Sequence, residues 1–205
     1  MLKRAFDFVL ALLFLVILSP LFLLIVFLIK LDSPGPVFYR GRRVGKGNLD
    51  FDMLKFRTMV VNADKIGGSS TPDDDPRITR MGAFLRKTKL DEIPQLVNVF
   101  FGEMSFVGPR PQVRWAVEKY SDEERSLLTI RPGITDYASL YFPNEGEILK
   151  GSTDPDRDYF LKIHPKKMRL SLKYHRESSL LVDIKIIVAT IMAVIGIKGG
   201  IDEKV

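Results

Sequence analysis

The sequence predicts an α+β fold, mainly helical, attached monotopically to a membrane by a re-entrant helix-break-helix and carrying a small β-hairpin. Three observations lead there. Residues 8 to 29, FVLALLFLVILSPLFLLIVFLI, are apolar except at a central Ser-Pro. Residues 34 to 59 read as two short strands around a Gly-Lys-Gly-Asn turn. From Thr79 onward, capping residues, prolines and glycines mark helix starts and stops at short intervals. The 205 residues suffice for one domain with a modest core. Mean hydropathy is +0.06 although 27% of the residues are charged, so the apolar side chains are concentrated in segments.

The apolar run is long enough, at about 1.5 Å per residue, to cross a hydrocarbon core of about 30 Å. Lys3 and Arg4 precede it, and Lys30, Arg40, Arg42 and Arg43 follow it. The positive-inside rule therefore draws both ends to the cytoplasmic side, against a bitopic span. Ser19 and Pro20 supply the break. Pro20 cannot donate to the Val16 carbonyl, and the Ser19 hydroxyl can satisfy backbone groups so freed. A signal peptide would need a small-residue cleavage site, which is lacking. Asp7 sits near the polar end, three residues after Arg4, where an ion pair or a headgroup contact would suit it; a structural role is expected. The chain divides into a membrane segment (1–30), a cytoplasmic domain (31–177) and a C-terminal apolar helix and tail (178–205), packed on the core or at the interface.

In the hairpin, glycine and asparagine at 45–48 permit positive φ. Lys55 and Arg57 alternate with Leu54 and Phe56, which puts both cations on one face. Periodicity alone favours solvent for that face. The loop GGSSTPDDDP (67–76) reads as a solvated turn, its adjacent aspartates lacking ligand spacing. Thr79 caps a helix through about Thr88, with Met81, Leu85 and Phe84 facing inward and Arg80, Arg86, Lys87 and Lys89 outward. Arg86 is the best of these cations for a diphosphate; otherwise they form a basic face on lipid headgroups.

The densest stretch is RKTKLDEIPQLVNVFFGEMSFVGPRP, from Arg86 to Pro111. Pro94 suits a first helical turn, so Asp91 is placed near the N-cap, where free N–H groups favour an anion able to attack phosphorus or hold a divalent cation. Ordinary capping explains the same residues without chemistry. Asp91 and Glu92, being adjacent, diverge and are not a symmetrical acid and base. Gly108-Pro109-Arg110-Pro111 stiffens a loop that presents one guanidinium, a geometry suited to bidentate phosphate contact. Ser121 to Glu124 match a capping box, and Arg131, at the helix exit, is a further candidate for phosphate. After Asp154 the pattern is helical with a break at His164-Pro165; Lys166, Lys167, Arg169, Lys173 and Arg176 are expected on a lipid-facing surface. His164 and His175 lack metal-ligand spacing.

The runs LDEIPQL (90–96), Asn98 and GEMSFVGPRP (102–111) resemble the signature of the bacterial sugar transferases, the small monotopic polyprenol-phosphate phosphoglycosyl transferases. KRAFD (3–7), SPGPVFYRGRRVG (33–45), LKFRTM (54–59) and RPGIT (131–135) agree in order along nearly the whole length. The resemblance implies a re-entrant anchor in the bacterial inner membrane, with the catalytic domain in the cytoplasm. It implies transfer of a sugar 1-phosphate from a nucleotide diphosphate sugar, expected to be a UDP-sugar, to polyprenol phosphate. Asp91 would be the nucleophile and a ligand of Mg2+, Glu92 would assist, and Lys55, Arg57, Arg86, Arg110, Pro111 and Arg131 would meet substrate. It also turns Lys55 and Arg57 from solvent toward the site. After RPGIT the pattern departs: an Asn-Gly-Arg element common in the family has no counterpart in Asp136-Tyr137-Ala138, and Asn144, Glu145 and Glu147 read as a polar loop.

A net charge of +6 and a pI near 9.5 imply an anionic partner, lipid surface or nucleotide. Nucleic acid is disfavoured, because the basic residues are interleaved with acids and no reading motif occurs. With no cysteine there is neither a disulfide framework nor a thiolate metal site. A membrane-tethered scaffold without catalysis is the alternative reading, and sequence leaves the sugar, and whether the chain forms a homo-oligomer, open.

Overall fold

The computed structural model describes residues 1–68 and 70–196. Helices α1 (Leu2–Ile17) and α2 (Ser19–Asp32) meet at Leu18 with a bend of 61°. The Ser19 hydroxyl donates to the Val16 carbonyl at 2.8 Å, the bond that the ring nitrogen of Pro20 cannot make. The ladder resumes at once, with Phe22 N–H donating to Leu18 O. No single described helix is long and apolar enough to cross a membrane; this bent pair passes only when taken together. Val9, Leu12, Leu13, Val16, Leu23, Leu24 and Phe27 remain exposed along it, while Ala11, Ile25 and Ile29 are buried.

Strands β1 (Phe38–Val44) and β2 (Asp50–Phe56) form the expected antiparallel hairpin, in register from Phe38 opposite Phe56 to Val44 opposite Asp50. Gly47 and Asn48 take positive φ (71° and 62°) at its turn. The Phe38, Phe56 and Phe22 rings stack together, attaching the first rung of the hairpin to α2.

Helix α3 (Arg80–Thr88) starts where expected, with the Thr79 hydroxyl accepting from Gly82 N–H. Leu85 is fully buried against α2, but Phe84, expected inward, is 52% exposed, because the neighbouring position lies about 100° around the helix. Lys89 ends α3 in the left-handed conformation (φ 59°), and a 3-10 turn, Leu90–Glu92, leads into α4 (Gln95–Phe101). Asp91 therefore lies inside that turn, and Pro94, not Asp91, is the residue at the N-cap. The physical reason is the left-handed stop at Lys89, which inserts a tight turn between the two helices.

Parallel strands β3 (Ser105–Val107) and β4 (Gly133–Thr135) were not legible in the sequence, since three residues are too few to display alternation. Two short helices, α5 (Arg114–Val117) and α6 (Asp122–Arg125, with its Ser121/Glu124 capping box), cross between them. The strands approach closely where Gly133 meets Gly108: a Cβ on Gly133 would stand 2.1 Å from the Gly108 nitrogen. This fixes the start of the arginine loop.

Helices α7 (Tyr137–Tyr141), α8 (Glu145–Ile148) and α9 (Pro155–Asp158) are short; a π turn, Tyr159–Ile163, continues into α10 (His164–Glu177) and then α11 (Leu180–Val194). Lys167, expected on the lipid-facing surface, is instead buried and paired with Glu145 at 2.6 Å. It falls on the stripe of α10 that also buries Met168, Leu170 and Tyr174. Residues 197–205, the end of the expected C-terminal tail, lie outside the described residues.

One core cluster joins Ala11 of α1, Phe51 and Met53 of β2, Leu96 and Val99 of α4, Phe106 of β3, Tyr174 of α10 and Ile186 of α11. Buried polar groups tie the same elements. Asp7 accepts from Ser105 Oγ (3.1 Å) and Phe106 N–H (3.2 Å), the structural role expected of it. The anticipated partner Arg4 turns away and donates to the Val99 and Phe100 carbonyls at the end of α4. Asp183 accepts from Lys3 at 2.5 Å and from the Tyr174 hydroxyl at 2.7 Å, which also lies 3.0 Å from the Val107 carbonyl. Burial, then the bond to Asp183, pushes the Tyr174 phenol up, so it remains a donor at neutral pH. Tyr174→Phe is expected to cost about 1–3 kcal/mol, by leaving buried acceptors under-satisfied. Denaturant unfolding of the two proteins measures it.

Candidate active site

The site forms where the 3-10 turn meets β2. Asn98 of α4 performs the alignment. Its Oδ1 accepts from Leu54 N–H (2.9 Å), and its Nδ2 donates to the Asp52 carbonyl (2.8 Å) and to Glu103 (2.7 Å). The amide so joins α4 to the backbone of β2 beside Lys55. Lys55 Nζ then reaches both carboxylates, 2.8 Å from Glu92 and 3.4 Å from Asp91. Adjacent side chains of the turn thus converge on one cation, where neighbours on a regular helix would diverge.

Glu92 has a second partner. Arg110, presented by the Gly-Pro-Arg-Pro loop, forks onto both Glu92 oxygens and donates to the Ile134 carbonyl. Burial alone would raise the Glu92 carboxyl, but the charges of Arg110 and then Lys55, with their hydrogen bonds, hold it well below the usual carboxylate range. Arg110 is raised in turn, chiefly by the Glu92 charge. Glu92 is consequently a fixed anion, with both oxygens engaged by cations. Asp91, buried to 5% exposure, keeps among the described residues only the long contact to Lys55, so its oxygens are the less committed.

Arg86 also belongs to the site. It was read as facing outward, yet its Nη1 is buried without a protein partner. Burial lowers its guanidinium, and the strongest opposing influence is the Asp91 charge. Lys89 adds a further positive charge acting on Glu92 and Asp91. Four cations, Lys55, Arg86, Lys89 and Arg110, therefore act on the two carboxylates, a positive setting suited to a phosphate-bearing ligand.

Other candidates are placed elsewhere. Arg57 is buried and donates to the Ser33 and Pro34 carbonyls and the Ser33 hydroxyl (2.7–2.8 Å), tying the end of β2 to the exit of α2. Both terminal nitrogens are engaged there, and only the buried Nε lacks a partner, which corrects the expectation that the guanidinium faces an anion beside Lys55. Arg131 donates to the Gly102 carbonyl at 2.7 Å and anchors the end of α4. Pro111 is buried behind the loop, lining with Val44, Val117 and Tyr120 a cavity of about 20 Å³; it supports Arg110 from the rear. Asn144 bonds Asp73, and Gly151 N–H bonds Asp74, so the aspartate run staples loop 67–77 to the 144–152 region.

Among the described residues no group of three or more His, Cys, Asp or Glu side chains converges as a metal site. A Mg2+ ion bound by one carboxylate and substrate phosphates needs no such group. Asp91, with the fewer contacts, fits that donor set better than Glu92, whose two oxygens already face Lys55 and Arg110.

The sequence model of the bacterial sugar transferase family matches residues 1–197. The chain belongs to the bacterial sugar transferases. Among its relatives are the UDP-N-acetylgalactosamine-undecaprenyl-phosphate N-acetylgalactosaminephosphotransferase of Aeromonas hydrophila, 36% identical over 196 residues (94% of this chain, 43% of the relative), and the exopolysaccharide production protein ExoY of Sinorhizobium fredii, 38% identical over 207 residues (94% and 84%). A third is the UDP-glucose:undecaprenyl-phosphate glucose-1-phosphate transferase of Escherichia coli, 40% identical over 199 residues (93% and 39%). The chain thus spans less than half the length of two of these relatives and most of the third.

Within this sugar transferase, sequence reasoning located the acid pair, Lys55 and the Arg110 loop. It missed the alignment by Asn98 and the inward turn of Arg86. Asn98 carried a usable signal: a polar residue in a short apolar helix, LVNVFF, needs buried partners.

Proposed function

We propose that this protein transfers a sugar 1-phosphate from a UDP-sugar to undecaprenyl phosphate at a membrane surface. The observation that carries the reading is the uneven sharing of cations: Glu92 is clamped by both Lys55 and Arg110, while buried Asp91 makes only the longer contact to Lys55 and feels the charge of Arg86, whose buried Nη1 has no protein partner. Relatives named for undecaprenyl-phosphate sugar transfer support the substrate class.

In the first step an Asp91 oxygen attacks the β-phosphorus of the donor. The bond from that phosphorus to the bridging oxygen breaks, and the nucleoside monophosphate departs with the electron pair. A phosphosugar-aspartyl enzyme remains. In the second step a phosphate oxygen of undecaprenyl phosphate attacks the same phosphorus, and Asp91 is regenerated as a carboxylate. Arg86, Lys55 and Lys89 stabilise charge building on the phosphoryl oxygens, because they are fixed before the substrate arrives. Glu92 takes no proton; it holds Arg110 and Lys55 in place. Mg2+, held by Asp91 with the diphosphate, would neutralise charge on the donor.

The α1–α2 hairpin acts as a re-entrant anchor, both ends cytoplasmic and its exposed apolar faces in lipid. That places a soluble donor and a lipid-bound acceptor at one depth. Cysteines introduced at Lys3 and Ser33 are expected to react with an impermeant thiol reagent from the cytoplasmic side only; labelling from opposite sides would refute the hairpin. Incubation with a panel of radiolabelled nucleotide sugars is expected to leave label on the protein and release nucleoside monophosphate for one of them. If label never becomes protein-bound with any donor, the covalent route is wrong.

A further inference from the structure

Tyr39, Gly41 and Arg43 alternate along β1 and so share one face. Tyr39 stands directly across the hairpin from Lys55, which puts that face on the side of the acid pair. The Arg43 guanidinium folds back over Gly41: a Cβ there would lie 3.3 Å from Arg43 Nη1 and 3.0 Å from the Tyr39 ring. A bare backbone makes the room.

Arg43 is half-buried and, among the described residues, forms no ion pair; its Nη1 donates to the Arg42 carbonyl at 2.8 Å, and its guanidinium also interacts with the Tyr39 hydroxyl. Its neighbour Arg42 is exposed and pairs with Asp50 and Asp52. Burial pushes the Arg43 guanidinium down, Tyr39 opposes that, and the nearby charge of Arg110 adds to it. A half-buried cation facing another cation, with no carboxylate to neutralise it, is costly until an anion arrives.

We propose that Arg43, with Tyr39 and seated over the buried, side-chain-free Gly41, binds the phosphate that stays on the nucleotide half of the donor, beside the phosphate that Asp91 attacks. This rests on the transferase reading above. The polyprenol phosphate is the other source of a phosphate monoester, and position argues against it. β1 starts at Phe38, packed on Phe22 of the apolar hairpin, and runs away from it. The Arg43 guanidinium, folded back over Gly41, stands three residues further, roughly 10 Å along the strand. The site therefore serves a group approaching from water.

The probe is uridine monophosphate, titrated calorimetrically into the full chain in detergent. Arg43→Gln is expected to weaken its binding roughly 10- to 100-fold, as loss of a charge-assisted fork does. Arg43→Lys should fall between, keeping the charge without the planar geometry. Arg42→Gln, equal in charge change but on the exposed face, should bind as wild type. The KM for polyprenol phosphate should be unchanged in Arg43→Gln. Wild-type affinity in Arg43→Gln, absence of uridine monophosphate binding to the wild type, or an effect confined to the polyprenol phosphate KM would each overturn the assignment. Should the glutamine variant not fold, Gly41→Ala, which crowds the guanidinium, is expected to weaken binding several-fold, and unaltered affinity there overturns it equally. The underlying transferase reading fails by a different result: turnover that survives in Asp91→Asn, whatever Arg43 does.

Discussion

Asp91→Asn is expected to lower turnover by roughly 10⁴-fold or more and to abolish protein-bound label from the donor. The amide matches the carboxylate in shape and can still accept from Lys55, so the site keeps its geometry. What it loses is the nucleophile. A purely structural role for Asp91 predicts the reverse pattern, a drop in thermal stability with turnover of the surviving protein intact. Measuring nucleoside monophosphate release together with the melting temperature separates the two. Retained turnover would remove Asp91 from the chemistry and leave the acid pair as a scaffold for cations.

Glu92→Gln is expected to have the larger effect on stability. Glu92 neutralises Lys55 and Arg110 in a largely buried setting, with side-chain exposures of 17%, 20% and 23%. Removing one partner of such a set strands the others, at a cost of about 3–5 kcal/mol. Gln still accepts one hydrogen bond, so the lower end is expected. The pH dependence follows from the depressed Glu92 carboxyl. A carboxyl whose native pKa lies below its unfolded value of about 4.3 contributes stability that is present above that value and is lost as pH falls through the native pKa. Wild type should therefore lose stability on acidification below about pH 4.3, and Glu92→Gln should flatten that slope. Denaturant titrations from pH 7 to pH 3 test both statements. Turnover of Glu92→Gln should fall as well, because Arg110 and Lys55 are no longer held at the turn; unchanged kcat would show that the clamp has no part in the reaction.

Features with a local cause were legible in the sequence. Ser19-Pro20 dictated a break, Gly47-Asn48 a hairpin turn, Thr79 a helix start and Ser121/Glu124 a capping box, since each acts within a few residues. The site was only half legible. Adjacent carboxylates and a stiff Gly-Pro-Arg-Pro loop pointed to anion chemistry, but which cations would serve depended on contacts across the fold. Arg57 and Arg131 resemble Arg110 as residues and differ in meeting backbone carbonyls at the ends of α2 and α4 with no carboxylate partner, whereas Arg110 forks onto Glu92. Arg86 lies on a helix whose composition suggests an exposed basic face; only the packing of α3 beside the turn brings its guanidinium inward. The β3–β4 pair is likewise invisible in three-residue segments, because its cause is the meeting of two glycines far apart in the chain.

The first turn of α1 has a consequence for handling the molecule. Lys3 is bonded to α11, Arg4 closes α4, and Asp7 holds the backbone that leads into the arginine loop. Those three side chains belong by sequence to the apolar N-terminal segment and by contact to α11, to α4, which carries Asn98, and to β3, which leads into the Arg110 loop. A truncation that begins after residue 31, made to remove that segment, would strip the core of these braces. Keeping the first turn of α1 is thus a condition for holding the acid pair and the arginine loop in register, not a convenience of purification.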